Sequence, residues 1–446
     1  MTHGWMRAGM ALAFTAVAGA AQAQTAPDTQ ALRRELDALR AEYERRIQTL
    51  EQRLQAAEAA LAAKPADAAV APVPAATTAV APTATPTRGG GFQPAVSLIL
   101  SGQYGNTQQD PASYRIRGFP LPPDAEIGPG TRGFSLNETE LSLSASIDPW
   151  FRGVANIAFA PDNSVSVEEA NIQTTALGKG FTVKAGRFFS GIGYLNEQHA
   201  HTWDFADAPL AYQAMLGGQY GDDGLQVAWL APTDRLLEFK AEVGRGRSFP
   251  GSDTSRNGAG MAALAAHMGD DIGASHSWRA GISYLQAKAA DQVLVDDNDL
   301  LNSFSGRSRV WIADAVWKWA PNGNATRTNF KLQGEYLRST RDGTMVFDTV
   351  GAATPGDYRV TQSGWYLQGI YQFMPRWRVG LRAEQLDPGT DEARPRKATL
   401  MLEHNPSEFS RIRLQLAQDR ARANGSDFQW LLQYQMSLGA HGAHSY

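Results

Sequence analysis

The sequence predicts an all-β transmembrane barrel of about 16 antiparallel strands, preceded by an N-terminal α-helical coiled coil. Three observations predict it. Residues 92–446 alternate apolar and polar side chains with period two, the connections between those runs alternate short and long, and the chain begins with a secretory leader.

The leader comes first. "MTHGWMRAGMALAFTAVAGAAQAQ" has one basic residue at Arg7, an apolar run from Ala8 to Ala20, and small residues at Ala21 and Ala23. This is the layout of a signal peptide over residues 1–23. No run elsewhere approaches the ~18 apolar residues of a spanning helix, so membrane insertion would have to be by strands. Over 29–63 the apolar positions Leu32, Leu36, Leu39, Tyr43, Ile47, Leu50, Leu54, Ala57 and Leu61 fall at steps of three and four. That spacing predicts a coiled-coil helix with one stutter, roughly 50 Å long. Its stripe needs partners, so it is expected to oligomerise the chain. Residues 64–91 carry Pro65, Pro72, Pro74, Pro82 and Pro86 among alanines and threonines, which cannot build a core and read as a tether.

Composition removes several function classes. The net charge of −4 over 446 residues offers nothing to nucleic acid, and the absence of Cys excludes disulfides and thiolate chemistry. No phosphate-cradling glycine loop, nucleophile elbow or His-Glu-x-x-His pattern occurs, so neither an enzyme nor a cofactor is expected.

Within 92–446 the pattern yields strands near 94–104, 135–147, 150–160, 166–175, 181–189, 219–230, 235–244, 260–267, 276–287, 308–319, 326–338, 361–373, 376–386, 395–404, 409–418 and 427–438. Short links carry turn chemistry at Pro149, Pro232, Pro375 and Pro406, whereas 105–134, 190–218, 245–259, 288–307 and 339–360 read as long loops. In "SGWYLQGIYQF", Trp365, Leu367, Tyr371 and Phe373 share one face, and Tyr366, Gln368 and Gln372 the other. Aromatics near strand ends on the apolar side suit girdles around a lipid-facing band, which puts the charged face on water.

The stretch from Phe181 to Thr233, with its Gly-x-Phe strand end, long aromatic and acidic loop and Gly-Asp-Asp-Gly return, resembles the phosphate-selective porin O/P family of Gram-negative outer membranes. The resemblance implies a passive channel for small hydrophilic solutes or ions, a homotrimer, and an inward-folded loop that narrows the pore. It also implies an outer-membrane location, with lipid as a partner and the N-terminal helix in the periplasm. The basic ladder of anion-selective relatives is not established. The inferred lumen face sets Lys184, Arg187, Lys240, Arg279, Lys331, Arg378, Arg382, Lys397, Arg411 and Arg413 against Glu138, Glu140, Glu169, Glu238, Glu242, Glu335 and Glu384.

The loop 190–218 is the expected constriction, through Tyr194, His199, His201, Trp203, Asp204 and Asp207. Lys184, Arg187, Lys240, Arg279, Lys331, Arg378 and Arg382 are the expected pore wall, with Lys184 and Arg187 facing the loop's root. His199 and His201, with Glu197 and Asp204 beside them, and separately His441 and His444, are candidate metal ligands, since neutral imidazole suits zinc, copper or nickel. Two alternatives stand beside the channel: an uptake protein linked to zinc acquisition, and a structural or adhesive barrel whose coiled coil grips the cell wall.

Overall fold

The computed structural model describes residues 94–439 apart from 138 and 256; the leader, helix and tether expected over 1–91, and His441 and His444, lie outside the described residues. Seventeen strands form one sheet. They are β1 (Ala95–Thr107), β2 (Gly133–Leu136), β3 (Thr139–Ser146), β4 (Phe151–Phe159), β5 (Val165–Thr174) and β6 (Phe181–Phe189). After these come β7 (Gly221–Leu230), β8 (Leu236–Gly244), β9 (Met261–Ile272), β10 (His276–Val295), β11 (Leu301–Trp319) and β12 (Asn329–Phe347). The last are β13 (Thr354–Met374), β14 (Trp377–Asp387), β15 (Arg396–Ser407), β16 (Ser410–Asp419) and β17 (Asp427–Gly439).

Every neighbour is antiparallel. β1 pairs with β17 from Ser97↔Gly439 to Thr107↔Gln429, and on its other side with both β2 and β3. The sheet therefore closes on itself. Because β2 and β3 are two segments of one stave, the barrel has sixteen staves, as the alternation predicts. The links at Pro149, Pro232, Pro375 and Pro406 each follow an even-numbered stave, so all four lie on one rim.

The apolar face points outward. On β17, Phe428, Leu432, Tyr434, Met436 and Leu438 are exposed, whereas Gln429, Gln433, Gln435 and Ser437 are buried. On β13, Trp365, Leu367, Tyr371 and Phe373 are exposed while Tyr366, Gln368 and Ile370 are buried. A water-soluble barrel would have the reverse arrangement, because each large apolar side chain left in water forfeits about 1.5–3 kcal/mol of burial. Apolar outside and polar inside is the polarity of a transmembrane barrel wall. Two aromatic belts mark its edges. Phe181, Trp229 and Phe239 stack in sequence near the turn rim, and Tyr104 packs against Phe134 and Trp430 near the loop rim. Trp365 and Phe373, eight residues apart on β13, stand roughly 26 Å apart along the strand at about 3.3 Å per residue.

Two expected loops are strands. Residues 288–307 and 339–360 read as loops, yet β10 runs on to Val295, β11 starts at Leu301, β12 reaches Phe347 and β13 begins at Thr354. These hairpins rise beyond the upper belt, where the outward face meets water and carries pairs such as Arg309 and Asp342 (3.3 Å). With both faces polar, the alternation that marks a lipid-facing strand disappears, although the backbone ladder continues.

Candidate functional site

The barrel interior is not an open tube. The chain between β6 and β7, loop L3 (190–220), folds into the lumen and contains a short helix, α1 (Leu210–Leu216), in which every residue is buried. Its neck is closed by Asn196, whose amide donates to the carbonyls of Ser190 and Tyr220 (both 2.8 Å) while its oxygen accepts from the Tyr220 N–H (2.8 Å). Loop L1 (108–132) also turns inward, an arrangement the sequence reading missed. Its Tyr114, Ile116, Phe119 and Leu121 join Ile192, Leu195, Trp203 and the α1 side chains in one apolar core inside the barrel. The signal was present in that apolar run, which an extended loop in water would leave unburied.

Wall carboxylates hold the loop by its backbone. Glu335 on β12 accepts from the N–H groups of Tyr194 (3.2 Å) and Leu195 (3.1 Å) and from the hydroxyls of Tyr212 (2.9 Å) and Tyr366 (2.6 Å). Glu242 on β8 takes the Ser190 hydroxyl (2.5 Å) and the Gly191 N–H (2.7 Å), and Glu384 on β14 takes the Leu210 N–H (2.6 Å). Gly193, with φ of +65°, passes so close to Glu335 that an added Cβ would lie 2.4 Å from its Oε2. Only glycine allows that approach.

The loop's own charges then dock on opposite sides. Glu197 pairs with Lys240 on β8 (2.6 Å). Asp204 meets both Lys331 on β12 and Arg378 on β14. Asp207 pairs with Arg382 on β14 (2.8 Å) and Lys397 on β15 (2.6 Å). Burial alone would raise the Asp204 and Asp207 carboxyls, but these cations overcome it and hold both well below the ordinary carboxylate range. Arg411 and Arg413 on β16 donate to the carbonyls of His201 (2.5 Å) and Trp203 (2.7 Å).

The histidines face acids instead. His199 Nε2 lies 3.0 Å from Glu169 on β5, its Nδ1 lies 3.2 Å from Glu140 on β3 and 3.4 Å from Glu168, and His201 Nδ1 lies 3.1 Å from Glu140. The two rings stack with centroids 5.6 Å apart. Burial would push His199 down, yet the three carboxylates win and raise it; burial does lower His201, against the pull of Glu140.

All six expected constriction residues thus lie inside the barrel. Of the expected wall residues, Lys240, Lys331, Arg378 and Arg382 meet the loop's acids, and Arg279 stands over the Tyr194 ring (5.5 Å). Lys184 sits over Phe188 (5.5 Å) rather than at a loop acid. Arg187 is placed differently from expectation: it shares its strand face with Phe181 and Val183, on the outside, and pairs with Asp223 (2.6 Å). The sequence reading took the whole charged set as lumenal, and near the rim the outward face also turns polar. Glu197 and Asp204, expected beside the histidines, are taken up by lysine and arginine. Glu140, Glu168 and Glu169 stand there in their place.

At the loop rim, on the outward side of β14–β16, a cavity of about 750 Å³ is lined by Arg117, Arg394, Arg396, Arg420 and Arg422 against one acid, Glu392.

No family model matches the chain. An uncharacterized protein of Aquifex aeolicus is 34% identical over 393 residues, which cover 80% of each chain. This chain belongs to the same family. Among solved structures it is similar to the anion-selective porin from Comamonas acidovorans (10% identity, TM-score 0.49, 78% of this chain and 100% of that one). It is also similar to the outer membrane channel DcaP of Acinetobacter baumannii (12%, TM-score 0.45, 78% and 98%). A third is OmpT, an outer membrane protein of Vibrio cholerae, in trimer form (10%, TM-score 0.47, 77% and 99%).

Proposed function

We propose that this protein is an outer-membrane porin, a passive channel for small hydrophilic solutes or ions that loop L3 narrows from within. The observation that carries this reading is the polarity of the wall: a closed sixteen-stave barrel, apolar outside and lined with Gln, Glu, Arg and Lys inside, separates lipid from a polar path. L1 and L3, which pack together inside the barrel, are the segments that would narrow it. The helix over 29–63 assembles a homotrimer in the periplasm, because its apolar stripe needs partners.

Planar-bilayer recording of the purified protein tests the channel. Discrete conductance steps are expected, and shortening the loop between residues 197 and 208 should raise the step size. A wild type without conductance would overturn the reading, and unchanged steps after shortening would place L3 away from the narrowest point. Cross-linking a variant without residues 29–63 should give monomer where the intact chain gives trimer.

A further inference from the structure

The histidine end of L3 has a charge surplus that its own residues do not balance. Three carboxylates, Glu140, Glu168 and Glu169, converge on His199 and His201, and no lysine or arginine makes an ion pair with any of the three among the described residues. By contrast, Glu197, Asp204 and Asp207 each meet lysine or arginine. Glu168 Oε2 and His199 Nδ1 are buried and take no hydrogen bond. Their nearest polar neighbours are each other (3.4 Å) and, for Nδ1, Glu140 (3.2 Å), so two acids crowd one buried imidazole nitrogen where an added cation would be satisfied.

The spacing fits a metal ion. Glu140 Oε2, His199 Nδ1 and His201 Nδ1 all lie within 4.8 Å of one another. Glu140 Oε2 is 3.2 Å from His199 Nδ1 and 3.1 Å from His201 Nδ1, and Glu168 Oε2 is 3.4 Å from His199 Nδ1. Ligand bonds of 2.0–2.1 Å at tetrahedral angles put neighbouring donor atoms about 3.3 Å apart, which the two Glu140–imidazole distances match. The remaining ring nitrogen of His199 faces the Glu169 carboxylate at 3.0 Å, and Glu169 is steadied by the Asn156 amide (3.0 Å). Nε2 also lies 2.9 Å from the Asn156 amide nitrogen; in the tautomer that donates from Nε2 to Glu169, the Nδ1 lone pair is available to a metal.

We propose that Glu140, His199 and His201 form a binding site for a divalent transition-metal ion of the zinc class, which ties loop L3 to the β3 wall. Two imidazoles with one carboxylate favour zinc-like ions over magnesium or calcium, whose preference is for all-oxygen ligands. The ligands come from the wall strand β3 and from L3, so a bound ion cross-links the loop to the wall. The site rests on the loop's position inside the barrel and not on the channel reading, and its test needs no conductance.

Full-length protein folded in detergent, stripped with chelator, would be titrated with Zn²⁺ by calorimetry, with Mg²⁺ as the control ion. One Zn²⁺ per chain is expected, with no Mg²⁺ heat, and replacing Zn²⁺ by Co²⁺ should give the intense visible bands of a tetrahedral site. His201→Ala and Glu140→Gln should each weaken Zn²⁺ binding roughly tenfold or more, since even loss of an outer partner of a metal ligand costs that much. Glu140→Gln keeps the side chain's shape and guards against misfolding. A double variant His441→Ala with His444→Ala should bind as the wild type does. Absence of Zn²⁺ binding by the wild type, unaltered binding in both ligand variants, or loss of binding only in the terminal double variant would overturn the proposal.

Discussion

The two ends of L3 are docked by opposite chemistry. Residues 203–207 carry aspartates into a wall of permanent cations, Lys331, Arg378, Arg382 and Lys397, and the account closes within the chain. Residues 199–201 carry imidazoles into a wall of carboxylates, Glu140, Glu168 and Glu169, and their charge depends on a proton or an ion from outside. The difference teaches that one loop can be both anchored and adjustable. The aspartate end fixes where the loop sits, and the histidine end lies where its tightness can change.

The largest effect is expected from breaking the aspartate end. Arg382 and Lys397 are almost fully buried, and both lean on Asp207. Asp207→Ala leaves two buried cations without their shared acid, although Glu384 still accepts from Arg382 (2.8 Å). Removing one partner of such a pair costs about 3 kcal/mol. Urea unfolding in detergent should show that loss, and single-channel steps should become larger and noisier as α1 loosens. A variant as stable as the wild type would show that water in the lumen already satisfies these cations.

The histidine end should respond less in chelator-treated protein. Glu140→Gln removes one charge but keeps an acceptor beside both rings, and His199 retains Glu169. A loss of about 1 kcal/mol is expected, the scale of one hydrogen bond whose charge has gone. If this variant cost as much as Asp207→Ala, the two ends would be equally structural and the contrast between them would fall.

The fold was legible because a lipid-facing strand repeats one simple pattern. Trp365, Leu367, Tyr371 and Phe373 on one parity, with Tyr366 and Gln368 on the other, establish both the strand and the medium on each side. The pattern fades where both faces are wet, so the tall hairpins around 288–307 and 339–360 read as loops. The aromatic content of 190–218 carried the signal for burial, and rings such as Trp203 and Tyr212 are buried. Which wall residue meets which loop residue was not legible. Asp204 and Arg378 are 174 residues apart in sequence, and only closure of the barrel brings β14 opposite the loop. Nothing local marks Glu140 as the partner of His201 either, 61 residues away.

The smallest expected effect is a null result that sharpens the contrast. Asp207 is held well below its ordinary value because Arg382 and Lys397 outweigh the effect of burial. A carboxyl depressed on folding contributes stability that is fully present above its unfolded value, near 3.9 for Asp, and is lost only as pH falls through the lower folded value. The stability gap between the wild type and Asp207→Asn should therefore stay constant from pH 7 to about pH 5. It should then shrink progressively below about pH 4, as the unfolded chain begins to bind the proton that the folded one refuses. Urea midpoints of both proteins measured across that range give the gap directly, and the difference cancels titrations common to the two chains. A gap that narrowed already between pH 7 and pH 5 would mean that Asp207 is not held by its cations in the folded barrel, and the aspartate end would no longer be the fixed one.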